Sequence, residues 1–374
     1  MMLDWKFYSI KLKSLFYQVK LRIMVEERKD VRVRIVTLIL ITSFTFSQIC
    51  LANLLTGFAN EEKILVAAVV TQLASVVREV GGGKIEVVTI LPPYTDPHHY
   101  EPSMDSILNT LSKAKLVVTT GPHHFAVEEK IYQVISEGLV KVRVIGLPDY
   151  ERKGLKLLIN PKTGDVNIHG YFYSIGGLKA IASAITEELI EVDSINKQYY
   201  AERLNDYLTR LNKVEETISL LLENNRYNIR VIIYTPLMQY VIEDLGLKLV
   251  DVVVSEVDVE PSEKDLSNML TRLINREADY ILFSDIEAIE NPKLLELLSR
   301  QGLRYYIIPL SRLAETPEFA SLSTAILVSS PNISYNVEVE SPSFNILLML
   351  SILANLVLLS IIIILIIKVR RHGG

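Results

Sequence analysis

Residues 63–92 read KILVAAVVTQLASVVREVGGGKIEVVTILP, and two short apolar runs rich in β-branched residues bracket a segment of different character. ILVAAVV (64–70) and KIEVVTILP (84–92) have the length and composition of buried strands, whereas TQLASVVREVGG (71–82) is amphipathic and ends on glycine, as a helix does. Strand, helix, strand at this spacing is a βα unit, and the intervening helix makes the two strands parallel.

Working outward, the alternation continues through PSMDSILNTLSKA (102–114), KLVVTTG (115–121), FAVEEKIYQVISEG (125–138) and VRVIGLP (142–148). This defines an N-terminal lobe over residues 61–174. Between 175 and 225 the strand signal vanishes and apolar residues recur at helical spacing among charges, as in YYAERLNDYLTRLNKVEETISLLLENN (199–225). Asp193 followed by Ser194 reads as a break and a new N-cap, so two helices are expected, one to about Val192 and a long one from about Ser194 to Glu223. Their place between two βα regions makes them a connecting spine. The alternation then resumes over 226–330 with IRVIIY, PLMQYVIEDLG, LKLVDVVV, PSEKDLSNMLTRLINREA, DYILFS, NPKLLELLSRQG, LRYYIIPL and TAILVS (324–329) as its last strand-like run. The fold class expected is therefore α/β, with two lobes of mainly parallel sheet joined by a long helical backbone.

The ends of the chain carry a different message. Residues 345–367, NILLMLSILANLVLLSIIIILII, contain no charge and have the length a helix needs to cross a bilayer. Lys368, Arg370 and Arg371 follow at once, in the tail 368–374, and basic flanks stay cytoplasmic. The body is then extracytoplasmic, tethered through the polar linker 331–344, which includes an Asn-x-Ser sequon at Asn332. Near the other end, IVTLILITSFTFSQICLANLLTG (35–57) follows Arg32 and Arg34 and reads as a signal peptide within a leader of residues 1–60, with an uncleaved anchor as the alternative. Either Met1 or Met24 serves as the start. Ile49 before Cys50 is too bulky for a typical lipoprotein processing site.

The formal net charge is −5, yet the first 34 residues hold nine Lys/Arg against four Asp/Glu, so the body is distinctly acidic. Such a surface excludes nucleic acid and suits a cation. Cys50 is the only cysteine, which rules out an intrachain disulfide or a thiolate metal cluster.

Five histidines lie in the body: His98, His99, His123, His124 and His169. All fall in the N-terminal lobe, in loops after strands or before helices, and ligands of parallel α/β sheets bind beyond the carboxyl ends of strands. Neutral imidazole is the commonest metal ligand, and Pro97 stiffens the loop that carries His98.

DPHHYEPS (96–103) resembles the Asp-Pro-His-x-Tyr-Glu-Pro signature of the solute-binding receptors of zinc and manganese ABC transporters. The likeness extends over about residues 61–330, through AKLVVTTGPHHFAVEEKI, His169 before a helix, the long spine and EPSEKDL (260–266). It implies a monomeric receptor, not an enzyme, that binds Zn²⁺ or Mn²⁺ in a cleft and delivers it to a membrane permease driven by a separate ATPase. Its first ligand corresponds to His98 and its second to His169. The third and fourth fall on Thr235 and Ile308, poor donors, so His123, His124 and Asp285 are the candidates to complete the shell, with Glu256 and Asp258 next. Histidine-rich donors favour zinc over manganese. Two other readings stand beside this one. A receptor or adhesin-like surface protein could use the scaffold without metal, and a metal-dependent hydrolase could use the same histidines with Glu101 as base, although HExxH and GxSxG are both missing.

Overall fold

The computed structural model describes residues 63–92, 100–122, 124–223, 228–257 and 259–329. The expected signal peptide, polar linker, transmembrane helix and cytoplasmic tail lie outside these residues. Among the described residues no helix is long and apolar enough to cross a membrane.

The opening βα unit forms as its pattern predicts. Strand β1 (Ile64–Ala68) leads into helix α1 (Thr71–Gly81) and returns as β2 (Ile85–Thr89), which pairs with β1 in parallel. Helix α2 (Met104–Leu111), strand β3 (Leu116–Val118), helix α3 (Ala126–Ser136), strand β4 (Arg143–Ile145) and helix α4 (Leu147–Arg152) follow. The first sheet has the order β2-β1-β3-β4, and each of its pairings is parallel. β-branched side chains explain its stability: Val66, Val117 and Val118 are fully buried, as are Val76 and Val77 of α1 above them.

The next segment departs from the expected alternation. Strands β5 (Leu158–Ile159) and β6 (Val166–Asn167) make an antiparallel hairpin of two residues a side, too short for any periodicity to announce. The spine is α5 (Ile175–Val192) and α6 (Lys197–Leu222), separated by a 3-10 turn over Ser194–Asn196, so the long helix begins three residues after the expected Ser194. Asp193 marks the break as expected, its carboxylate accepting from Tyr200 Oη (2.7 Å) and Asn196 Nδ2 (2.7 Å).

Beyond the spine, β7 (Arg230–Ile233), α7 (Gln239–Leu245), β8 (Lys248–Val252), α8 (Glu263–Ile274), β9 (Tyr280–Ser284), α9 (Asp285–Glu290), α10 (Pro292–Arg300) and β10 (Tyr305–Ile308) build a second parallel sheet of order β10-β9-β7-β8. This is the connectivity of the first sheet repeated. In each sheet the order reverses beside the first strand, which opens a crevice beyond the strand ends.

TAILVS corrects the sequence reading. It is the C-terminal half of helix α11 (Phe319–Ser329), not a strand. Ala320, Ser321, Thr324, Ala325 and Val328 are its buried residues, a helical recurrence of small side chains that a six-residue window hides. One apolar core runs from the first sheet through α5 and α6 to one face of the second sheet, and the other face of that sheet has its own cluster around Ile232, Phe283 and Leu298.

A buried carboxylate ties the halves together. Asp244 of α7 accepts hydrogen bonds from Ile175 N (2.6 Å), at the N-terminus of α5, and from Ser321 Oγ (2.7 Å) of α11. Burial outweighs these donors and pushes its pKa from 3.8 up to about 6. The folded state therefore holds the proton more tightly than the unfolded chain, and this group costs stability as pH rises through the window from about 4 to 6. Asp244→Asn removes the titration. Relative to wild type, the variant is expected to gain up to about 3 kcal/mol between pH 4 and pH 8. Urea unfolding at both pH values measures it, and a difference unchanged by pH would refute the assignment.

Candidate metal site

The site grows from the carboxyl end of β3. Thr119 and Thr120 follow the strand and are fully buried, and α3 begins six residues after Thr120. One turn into α3, Glu128 folds back to the strand end. Its Oε1 accepts from Thr120 N and lies 2.9 Å from Thr120 Oγ1, and its Oε2 lies 2.9 Å from the same hydroxyl and accepts from Phe125 N (3.3 Å). Complete burial pushes the Glu128 carboxyl up to about 7, against the lowering effect of those bonds.

Thr120 passes the contact on. His124 Nδ1 lies 2.8 Å from Thr120 Oγ1, and its ring stacks on Phe125 with centroids 4.0 Å apart. His124 Nε2 lies 3.0 Å from His169 Nδ1. His169 sits just after the β5–β6 hairpin, its backbone N–H donating to Asn167 Oδ1 (2.9 Å). On the far side of its ring, His169 Nε2 lies 3.0 Å from Glu256 Oε2, in the loop after β8 of the second sheet. Exposure rises along the row: Glu128 is fully buried, the His169 side chain is 13% exposed and the Glu256 side chain 48%. The row thus runs from the interior of the N-terminal half to a solvent-facing carboxylate of the C-terminal half.

Counting hydrogens gives this row a chemical meaning. Four contacts link Glu128, Thr120, His124, His169 and Glu256. The hydroxyl and two neutral imidazoles bring one hydrogen each, so with both carboxylates ionised one link lacks its proton. One further proton completes the row, and Glu128, with its pKa near neutrality, is suited to hold it. A cation needs a bare ring nitrogen, so it competes with the proton that completes the row.

The residues expected from sequence divide into three groups. His98, His99, His123 and Asp258 lie outside the described residues. His124, His169 and Glu256 meet as described. Asp285 does not join them: its carboxylate accepts from Ser311 N (3.0 Å) and Ser311 Oγ, tying β9 to the loop after β10. Thr235 donates its hydroxyl to Glu287 and accepts from Leu237 N (3.2 Å), while Ile308 is fully buried in β10. Glu101 pairs with Lys130 at 2.8 Å. Among the described residues no three His, Cys, Asp or Glu side chains converge as a ready-made metal shell; the histidines and Glu256 form a line instead.

Two buried acids at strand ends were missed by the sequence reading. Glu128 and Glu287 play matching parts, since Glu287 accepts from Ser284 N (2.6 Å) at the end of β9 much as Glu128 does at the end of β3, and burial raises its pKa too. The signal was there for Glu287: SDIE (284–287) is a capping box, in which a Ser and a Glu three residues on cap a helix reciprocally.

Comparison with known proteins places this fold. The sequence matches the family described as ZnuA, zinc-uptake complex component A, periplasmic, over residues 66–322. A curated relative, the manganese ABC transporter substrate-binding lipoprotein PsaA of Streptococcus anginosus, is 29% identical over 170 residues, which cover 41% of this chain and 50% of the relative. The chain thus spans about half the length of the curated relatives it matches. Among solved structures, the substrate-binding protein FpvC of Pseudomonas aeruginosa in complex with Mn²⁺ superposes with a TM-score of 0.59 at 22% identity, covering 72% of this chain and 98% of that one. The periplasmic zinc-binding protein TroA of Treponema pallidum gives 0.58 at 16% identity, with 72% and 98% covered. At these identities the likeness is one of fold: parallel sheets and a long helical backbone. With the family matched over most of its length, the chain belongs to the ZnuA family of periplasmic metal-uptake receptors, which are binding proteins and not enzymes.

Proposed function

We propose that this chain is the extracytoplasmic receptor of an ABC transporter, capturing Zn²⁺, or Mn²⁺, and handing it to a permease driven by a separate ATPase. The observation that carries the reading is the meeting of His124, His169 and Glu256 where loops of the two halves approach each other. Imidazole nitrogen joined by carboxylate oxygen is a donor set for zinc, and greater carboxylate content shifts it towards manganese. His98 is proposed as the first ligand beside His169, with His123, His124 and Asp285 as further candidates; the bonds of Asp285 to Ser311 make it the least available of them. The two lobes are assigned to 61–174 and 226–330, the spine to 175–225, and the tether to the apolar segment 345–367. A tether keeps the receptor near its permease and raises the effective concentration. The hydroxyl of Thr235 and the buried Ile308 favour one rival, a receptor on this scaffold that has given up metal.

Titration of the purified chain with Zn²⁺ and Mn²⁺ at pH 6, 7 and 8 separates the two. The expected result is one cation per chain, affinity that rises with pH, and release of up to one proton per cation near pH 7. Heats that are indifferent to metal, or binding without proton release, would overturn the assignment of this row as the site.

A further inference from the structure

The β5–β6 hairpin follows the first sheet in the chain but directs its hydrogen bonds to the second half. Buried Asn160 donates Nδ2 to Ser255 O (2.7 Å), and Gln239 Nε2 donates to Ile159 O (2.8 Å). Asn167, also buried, donates Nδ2 to Pro236 O (3.0 Å) and Gln239 Oε1 (2.8 Å). The hairpin tip is braced internally, with Asn160 Oδ1 accepting from Lys162 N (3.0 Å), Asn160 O from Gly164 N (2.9 Å) and Asp165 O from Asn160 N (2.8 Å). From this rigid tip Lys162 reaches across. Its ammonium donates to Val253 O and pairs with Asp265 Oδ1 at 2.7 Å.

Asp265 is itself held in place. It belongs to EPSEKDL, the one motif of the C-terminal half that the metal site does not use, and it closes the capping box of α8 with Ser262 (2.6 Å to Oγ). Lys162 and Ser262 together hold its carboxyl down at about 2, so the ion pair is present throughout the neutral range. Val253 and Ser255, whose carbonyls the hairpin grips, lead straight into Glu256. At the other end Asn167 leads into His169. One hairpin therefore governs both partners of the His169–Glu256 contact, the first through the chain itself and the second through Lys162 and Asn160.

We infer that Lys162 is a positioning residue for cation retention, holding residues 253–256 against the hairpin so that Glu256 meets His169, and thereby setting how fast bound metal escapes. The inference rests on the receptor reading proposed above. A purely structural role would also cost stability, but it would not depend on Glu256, and that difference is measurable.

The experiment follows release of Zn²⁺ from the loaded full chain into excess chelator by stopped flow, for wild type, Lys162→Met, Lys162→Arg, Glu256→Gln and the Lys162→Met/Glu256→Gln double variant, with thermal melts of each. Lys162→Met is expected to speed release about tenfold, the lower end of what loss of a supporting partner costs a metal site. Lys162→Arg, which keeps the charge and the donors, is expected to restore most of the retention. In the Glu256→Gln background the effect of Lys162→Met is expected to vanish, because the residue through which it acts is gone. Should Lys162→Met fail to fold, Asp265→Asn removes the ion pair while keeping a side-chain cap, and the same loss in the Glu256→Gln background is required. Equal acceleration with and without Glu256, or release indifferent to Lys162 in a folded variant, overturns this inference alone. A wild-type chain that takes up neither Zn²⁺ nor Mn²⁺ overturns the receptor reading and this inference with it.

Discussion

His169→Ala lowers the affinity for Zn²⁺ or Mn²⁺ by more than about 100-fold, beyond the range that loss of a supporting residue produces. The size of the effect follows from position. His169 has one ring nitrogen 3.0 Å from His124 and the other 3.0 Å from Glu256, so it joins the two halves of the body within the row. Its ring is also aimed before any cation arrives, because Asn167 Oδ1 holds its backbone N–H and Asn167 is itself pinned to Pro236 and Gln239. A preorganised donor loses less freedom on binding, and that advantage disappears with it. Competition against a chromophoric chelator reads the change. Affinity within about threefold of wild type, well short of the supporting-residue range, would show that the ring is a bystander.

Gly170→Ala unfolds the protein more readily by more than about 3 kcal/mol, in the range reserved for strained backbone and overpacked sites. Gly170 has φ +81°, a left-handed conformation that costs a residue with a Cβ about 1–2 kcal/mol. The new Cβ would also lie 1.9 Å from the carbonyl oxygen of Leu237 and 2.8 Å from its carbon, both backbone atoms that cannot swing aside. The buried turn Tyr171–Tyr173 follows immediately, with Tyr171 Oη donating to Thr120 O (2.6 Å), so relief of the clash must move His169 or pull at the strand end beneath His124. Metal affinity is expected to fall together with stability. Gly164→Ala supplies the control: it shares φ +81° but has no atom within 4 Å of a new Cβ, so it carries the left-handed cost without the collision. Urea unfolding of both variants makes the comparison, and equal losses would mean that the contact with Leu237 is unimportant.

Both predictions concern a junction that was only half visible in the sequence. His169 could be read as a candidate ligand, from the clustering of histidines in loops and from the resemblance to the receptor signature. That Gly170 lies against the backbone of Leu237, 67 positions later, belongs to the packing of the two halves. Thr235 shows the converse. Alignment with the receptor signature put a weak donor there, and the fold accounts for its hydroxyl through Glu287, a residue that a helix-capping pattern identifies but cannot aim.

The sequence by itself determined most of the alternation of strands and helices and the spine with its break at Asp193. Each of these is a local property: alternation, helical recurrence and capping chemistry all act within a few residues. It misread TAILVS, where six apolar and small residues satisfy either period, and it missed a hairpin with two residues a side. Only the tertiary structure decided that His124 meets His169 across 45 positions, that Glu256 closes the row from 87 positions away, and that Lys162 reaches Asp265 across 103. Strand order and the docking of the two halves set those meetings. Periodicity tells each residue which face of its own element it occupies, and says nothing about which distant face will be brought against it.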